Sequence, residues 1–119
     1  MSTRQARGAA AEQQAADYLQ RQGLKLLERN FRVRGGEIDL ICRDGKTTVF
    51  VEVRLRSRSD FGGAADSITG AKRSRLILAA QHWLLRHGEV PCRFDCMLFD
   101  GPDNETRKIE WLRNAFSAD

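Results

Sequence analysis

Only two prolines, three cysteines, two histidines and one tyrosine occur in the 119-residue chain. An odd number of cysteines does not fit a secreted disulfide scaffold. Cys92 and Cys96 fall on what reads as a strand, where four residues span ~13 Å, beyond disulfide or shared-metal reach. His82 and His87 are five apart on a helix and point to different sides, so no zinc site is expected. Nor is there a long apolar run: Met1–Gly8 is basic and leads into none. That pattern carries no signal peptide and no membrane span, and the expected location is the cytoplasm, with no membrane partner. Repeats and low-complexity tracts are also missing, and Pro91 and Pro102 sit at element boundaries.

What is present suits one domain over residues 1–119: 41% of residues are hydrophobic and 30% charged, enough to bury a core without a disulfide or a metal. Bases exceed acids by 4, and the excess is uneven. Residues 1–75 carry 15 bases and 9 acids, whereas residues 76–119 carry 5 and 7. A polyanion-binding face therefore belongs to the first two-thirds of the chain. Sixteen of the 20 bases are Arg, whose planar fork matches phosphate oxygens; a high-GC genome enriches Arg as well.

Thr3 can cap a first helix running to about Gln22, with Gly23 as its stop. Lys25–Val33, Glu37–Arg43 and Thr47–Arg54 read as a three-stranded antiparallel meander, the last two joined at Asp44-Gly45. Arg56–Gly63 is a polar loop. From Ser67 to His87 the period becomes helical, with Leu76, Ala80, Trp83 and Leu84 on one arc. Arg93–Phe99 follows as a fourth strand, Gly101–Asn104 as a turn and Thr106–Leu112 as a fifth strand. The order is αβββαβ plus one strand, an α/β layered domain.

A tight loop centred on Asp44-Gly45 pairs residues whose numbers sum to 89, setting Asp39 against Phe50 and Glu37 against Glu52. Glu37, Asp39, Phe50, Glu52 and Arg54 then share one face, and Ile38, Leu40, Val49, Val51 and Val53 the other. Asp39 and Glu52 become diagonal neighbours with Cα atoms ~7–8 Å apart. Two carboxylates that close can share a hard cation and repel without one. Glu12 falls inside the arc of Ala9, Ala15, Ala16 and Leu19 on the first helix, and an inward carboxylate requires a partner. The plain alternative is that the acids form the solvated face of a one-sided meander, Glu52 being paired to Arg54 or another base.

These residues resemble the bacterial YraN-like family, small proteins placed by fold among the PD-(D/E)XK nucleases and near archaeal Holliday-junction resolvases. The strongest segments are Gly36-Glu37-Ile38-Asp39-Leu40-Ile41 and Val49-Phe50-Val51-Glu52-Val53-Arg54-Leu55-Arg56. Gly8 to Leu19 with Glu12, Phe61-Gly62, Lys72 and Asn114-Ala115-Phe116 support them. The resemblance implies a restriction-endonuclease-like fold, an αβββαβ core with a mixed sheet of four to five strands flanked by two helices. It also implies Mg²⁺ or Mn²⁺ held by Asp39 and Glu52, with Glu12 as a further acid. The family pattern has Lys two residues after that Glu, where this chain has Arg54. A guanidinium stays protonated at any working pH, so Arg54 can hold a phosphate but cannot act as a base. Lys72, on the second helix's apolar arc, is the substitute, unless it is a lysine snorkelling at a helix end.

Three function classes remain open on these residues. The first is a metal-dependent endonuclease using Asp39, Glu52, Arg54 and Lys72 on structured DNA or RNA. The second is a nucleic-acid-binding module of the same fold with impaired catalysis. The third is a protein–protein adaptor. Arg54, Arg56 and Arg58 lead into a loop with Phe61, a pattern suited to a sugar-phosphate backbone and one stacked base, or to a plain solvated loop. Arg75, His82 and Arg86 form a stripe that extends the track. Nucleic acid, DNA foremost, is the expected partner, and a homodimer is compatible with the sequence.

Overall fold

The computed structural model describes residues 4–56, 69–100 and 108–118, with side chains for all of these except 4–7 and 56. Helix α1 (Arg4–Arg21) leads into strands β1 (Lys25–Val33), β2 (Gly36–Asp44) and β3 (Thr47–Arg56). Helix α2 (Gly70–His87), β4 (Cys92–Asp100) and β5 (Lys108–Phe116) follow. The five strands form one sheet in chain order, with β3 and β4 parallel and every other pair antiparallel. The fold is thus α/β with a mixed sheet and αβββαβ order, as the sequence pattern and the resemblance both led us to expect. Among the described residues no helix is long and apolar enough to cross a membrane. The proposed cap Thr3, the turn Gly101–Asn104, Thr106, Arg58, Phe61 and the side chain of Arg56 lie outside the described residues.

Each helix covers one face of the sheet. Ala11, Ala15, Ala16 and Leu19 of α1 pack on Leu40, Cys42, Val49, Val51, Met97 and Phe99. Leu76, Ala79, Ala80 and Trp83 of α2 pack on Ile41, Phe50, Phe94, Cys96 and Leu98. Ala9 is exposed and Ala11 takes its expected place in the buried arc of α1. Fully burying one Leu, Ile or Phe is worth ~1.5–3 kcal/mol, so the central residues of β2 and β3 fix the strand orientation. The face bearing the acids is not solvated, because Ile41 and Phe50 on it are completely buried beneath α2. The carboxylates are confined to one end of a buried face.

The β2–β3 loop is Gly45-Lys46, closed by the pair Asp44↔Thr47, rather than Asp44-Gly45. Gly45 takes a φ of +62°, the left-handed conformation such a tight turn demands. Paired numbers sum to 91, as in Leu40↔Val51 and Ile41↔Phe50. This moves the partner by two residues and leaves face membership intact. Continued one step past Leu40↔Val51, that register points Asp39 toward Glu52 and not toward Phe50. Ile38 departs from the expected alternation, joining the cluster under α2 with Phe31 and Ala79.

Two further boundaries differ from the sequence pattern. Helix α2 starts at Gly70 with Thr69 as its N-cap, its hydroxyl accepting the Lys72 amide at 3.3 Å. Strand β5 runs on to Phe116 because a buried carboxylate, Asp95, stands in for the ladder. The β4–β5 register breaks between Phe94 and Cys96. There Asp95 accepts the Asn114 amide at 3.0 Å and the Trp111 indole N–H at 2.9 Å. Arg93 Nε completes the set at 3.1 Å and reaches Asp44 through a second nitrogen at 3.0 Å.

Candidate metal centre and nucleic-acid face

The hydrogen-bonded pairing of β2 with β3 ends at Leu40↔Val51, although both strands continue beyond it. Past that point the strands form a fork. One cause is Gly36, which sits directly against α2: a Cβ there would lie 2.5 Å from the Arg75 carbonyl oxygen and 3.1 Å from the Ala79 amide nitrogen. Only glycine lets the first residue of β2 approach the helix backbone this closely.

In the fork a side chain replaces the missing ladder bond, the Asp39 carboxylate accepting the Val53 amide at 2.8 Å. Glu52 follows Phe50 on the same face of β3. Lys72, in the first turn of α2, brings its ammonium nitrogen to 3.8 Å from Glu52 Oε1. The Glu52 side chain is only 13% exposed. Glu12 approaches from α1, on the opposite side of the sheet from Lys72, and lies close enough for the charge of Asp39 to raise its carboxyl. The fork thus admits groups from both faces of the sheet.

The electrostatics follow from this crowding. Burial, followed by the charge of Asp39, pushes Glu52 up to about 7, against the pull of Lys72 and Arg54. Burial likewise raises Asp39, with Glu37 adding to it, while the Val53 hydrogen bond, Lys72 and Arg32 lower it. Glu12 is raised by burial and then by Asp39, with Arg32 and Arg29 opposing. Protonation or a cation relieves such a site.

Among the described residues no three His, Cys, Asp or Glu side chains are gathered tightly enough to form a metal site by themselves. The three cysteines are free, with Cys42 and Cys96 buried and Cys92 exposed. Two half-buried carboxylates, both raised by burial, nonetheless suit Mg²⁺ or Mn²⁺, because Mg²⁺ keeps most of its waters and takes only one or two carboxylates from the protein.

Around the fork lie cations. Arg54 follows Glu52 by two residues and its Nε is buried without a hydrogen-bond partner. Arg75 on α2 and Arg32 on β1 approach Glu37 at 3.9 and 3.5 Å, so Arg75 is tied to the fork. Arg86 is drawn aside, its guanidinium 5.5 Å over the Phe31 ring. Sequence reasoning missed Arg32 and Asp95. The signal for Asp95 was a lone acid inside the apolar run Phe94–Phe99.

The model of a family described as "Uncharacterised protein family UPF0102" matches residues 11–99. A UPF0102 protein of Dechloromonas aromatica is 62% identical over 117 residues, covering 98% of this chain and 93% of the relative. One of Nitrosomonas europaea is 58% identical over 117 residues, with 98% of each covered. One of Pseudomonas putida is 53% identical over 112 residues, with 92% and 90% covered. The matched span holds Glu12, Asp39, Glu52, Arg54 and Lys72, and the chain belongs to the UPF0102 family, to which its YraN-like motifs pointed.

Proposed function

We propose that this protein is a metal-dependent endonuclease that hydrolyses phosphodiester bonds in structured nucleic acid. The observation that carries the reading is the fork, where Asp39 and Glu52 share a buried opening with Lys72 3.8 Å from Glu52. Asp39 and Glu52, with Glu12 beside them, would hold Mg²⁺ or Mn²⁺. Such an ion neutralises charge on the phosphate and lowers the pKa of a bound water.

The chain's own groups divide the remaining work. Lys72 places three N–H donors at the mouth of the fork, where they orient a water or a phosphoryl oxygen. Arg54, cationic at every working pH, holds the phosphate and cannot accept a proton. Arg32 and Arg75 extend the positive rim. These contacts address the backbone, so recognition rests on nucleic-acid shape rather than base sequence.

Arg54 in place of the family Lys supports a second reading, a binding module of the same fold with impaired turnover. Cleavage assays on branched and single-stranded DNA and RNA, with Mg²⁺ and with Mn²⁺, separate the two. Wild type is expected to cleave with either cation, Asp39→Asn and Glu52→Gln are not, and Lys72→Ala should fall by ~100-fold or more. If wild type and Arg54→Lys bind nucleic acid yet cut no faster than Glu52→Gln, the enzyme reading is lost and the module stands.

A further inference from the structure

At the other end of α2 from the fork, the sheet and helix leave a cleft of about 880 Å³, within the usual range for a ligand site. Trp83, His87, Leu27, Val90 and Pro91 supply its apolar side. His87 lies flat on the Trp83 indole, with ring centroids 3.6 Å apart and planes 16° from parallel. Its Nδ1 is 3.0 Å from the Trp83 carbonyl oxygen, which fixes the ring. The polar rim is made by Arg43 and Lys46 of the β2–β3 hairpin, against one acid, Glu28. Lys25 is paired across the ladder with Arg43 and so adds a third cation to that edge.

An immobilised aromatic stack with cations beside it matches the chemistry of a nucleotide, whose base offers a π-face and whose phosphate offers charge. The position of the cleft selects the source. Lys72 and His87 mark the two ends of α2, fifteen residues apart, or ~22 Å of helix. That is about six steps of a nucleic-acid strand at its helical rise of ~3.4 Å. Arg75 and Arg86 lie between them on the same helix.

We propose that this cleft holds an unpaired nucleotide of the strand whose backbone lies at the fork, its base stacked on the exposed face of His87, which the buried Trp83 indole backs, and its phosphates on Arg43 and Lys46. The site makes the protein selective for nucleic acid with a single-stranded tail. It rests on the nucleic-acid part of the function proposed above but not on hydrolysis.

The test is fluorescence anisotropy in chelator, with a blunt DNA duplex and the same duplex carrying a short single-stranded tail. The tail should tighten wild-type binding roughly tenfold, the scale of one base–aromatic stack. His87→Ala and the double variant Arg43→Ala/Lys46→Ala should lose that gain while holding blunt duplex as before. His87→Phe, which keeps a flat ring, should retain the gain. The double variant should also flatten the log–log salt slope for the tailed duplex by about 1.4, two cations at ~0.7 each for a single strand. The proposal is overturned if the gain survives in His87→Ala and in the double variant. It is equally overturned if dAMP binds the cleft as tightly as the tail does, which would assign the site to a free nucleotide. Wild type that binds neither duplex removes this proposal and the nucleic-acid reading together. A persistent tail gain in a protein that never cleaves removes hydrolysis alone and supports the cleft.

Discussion

Replacing Glu52 by Gln gives the sharpest test of the fork, because it removes one charge and little volume. The Glu52 carboxyl is raised from 4.5 to about 7, by burial first and the Asp39 charge second. A folded-state pKa above the unfolded one means that the native protein binds the proton more tightly. The stability contributed by the protonated group is fully present below pH 4.5 and is lost as pH rises through 7. A shift of that size corresponds to about 3 kcal/mol at 1.36 kcal/mol per unit. Glu52→Gln stays neutral throughout and lacks this dependence. Unfolding followed by circular dichroism in chelator, from pH 4.5 to 8.5, should show the variant gaining on wild type by about 3 kcal/mol. For a chain of this length that is on the order of 10 °C in Tm. At pH 8, Mn²⁺ at a hundred times its Kd should return ~2.7 kcal/mol to wild type, and far less to Glu52→Gln. Parallel pH curves for the two proteins would refute the argument, since the carboxylate would then be solvated or firmly paired.

Two other perturbations probe what positions the fork. Gly36→Ala puts a methyl 2.5 Å from the Arg75 carbonyl and should cost ~1–3 kcal/mol as α2 is forced outward; thermal melts report the loss, and a Tm equal to wild type would show that the contact yields freely. Asp95→Ala strands the donors of Arg93, Trp111 and Asn114 and should cost about 3–5 kcal/mol, as breaking a buried charged pair does. Chemical unfolding gives the magnitude, and a red shift of tryptophan emission would locate the damage at Trp111.

The faces of β2 and β3 were legible in the sequence even though the hairpin loop was placed one residue early. Asp44-Gly45 and Gly45-Lys46 loops differ by two in the pairing sum, and a shift of two preserves side-chain parity. Glu12 and Lys72 were legible as inward side chains because helical periodicity is local. The fork was not. Residues beyond Leu40 and Val51 keep an alternating pattern, and their separation depends on how closely Gly36 meets a helix some forty residues away in the chain. The same limit hid the role of Asp95, whose partner Trp111 is 16 residues distant on another strand. The cleft draws its lining from β1, the β2–β3 hairpin, α2 and the segment before β4, so no short motif announces it.

Local rules are broken where the fork forms, and each breach has a cost that packing alone does not explain. Lys72 occupies the third position of α2, in a first turn with no acid, where a cation opposes the helix dipole by some 0.3–1 kcal/mol. Glu52 and Asp39 extend a buried apolar face with two acids, both raised first by burial, and the charge of Asp39 raises Glu52 further. A well-folded sequence can relieve any one of these by a single substitution, and such conflicts persist mainly where a site requires them. Lys72 reduces the strain the two acids create, but the acids remain raised with Lys72 in place. On the function proposed above, a bound divalent cation would offset what Lys72 leaves uncompensated.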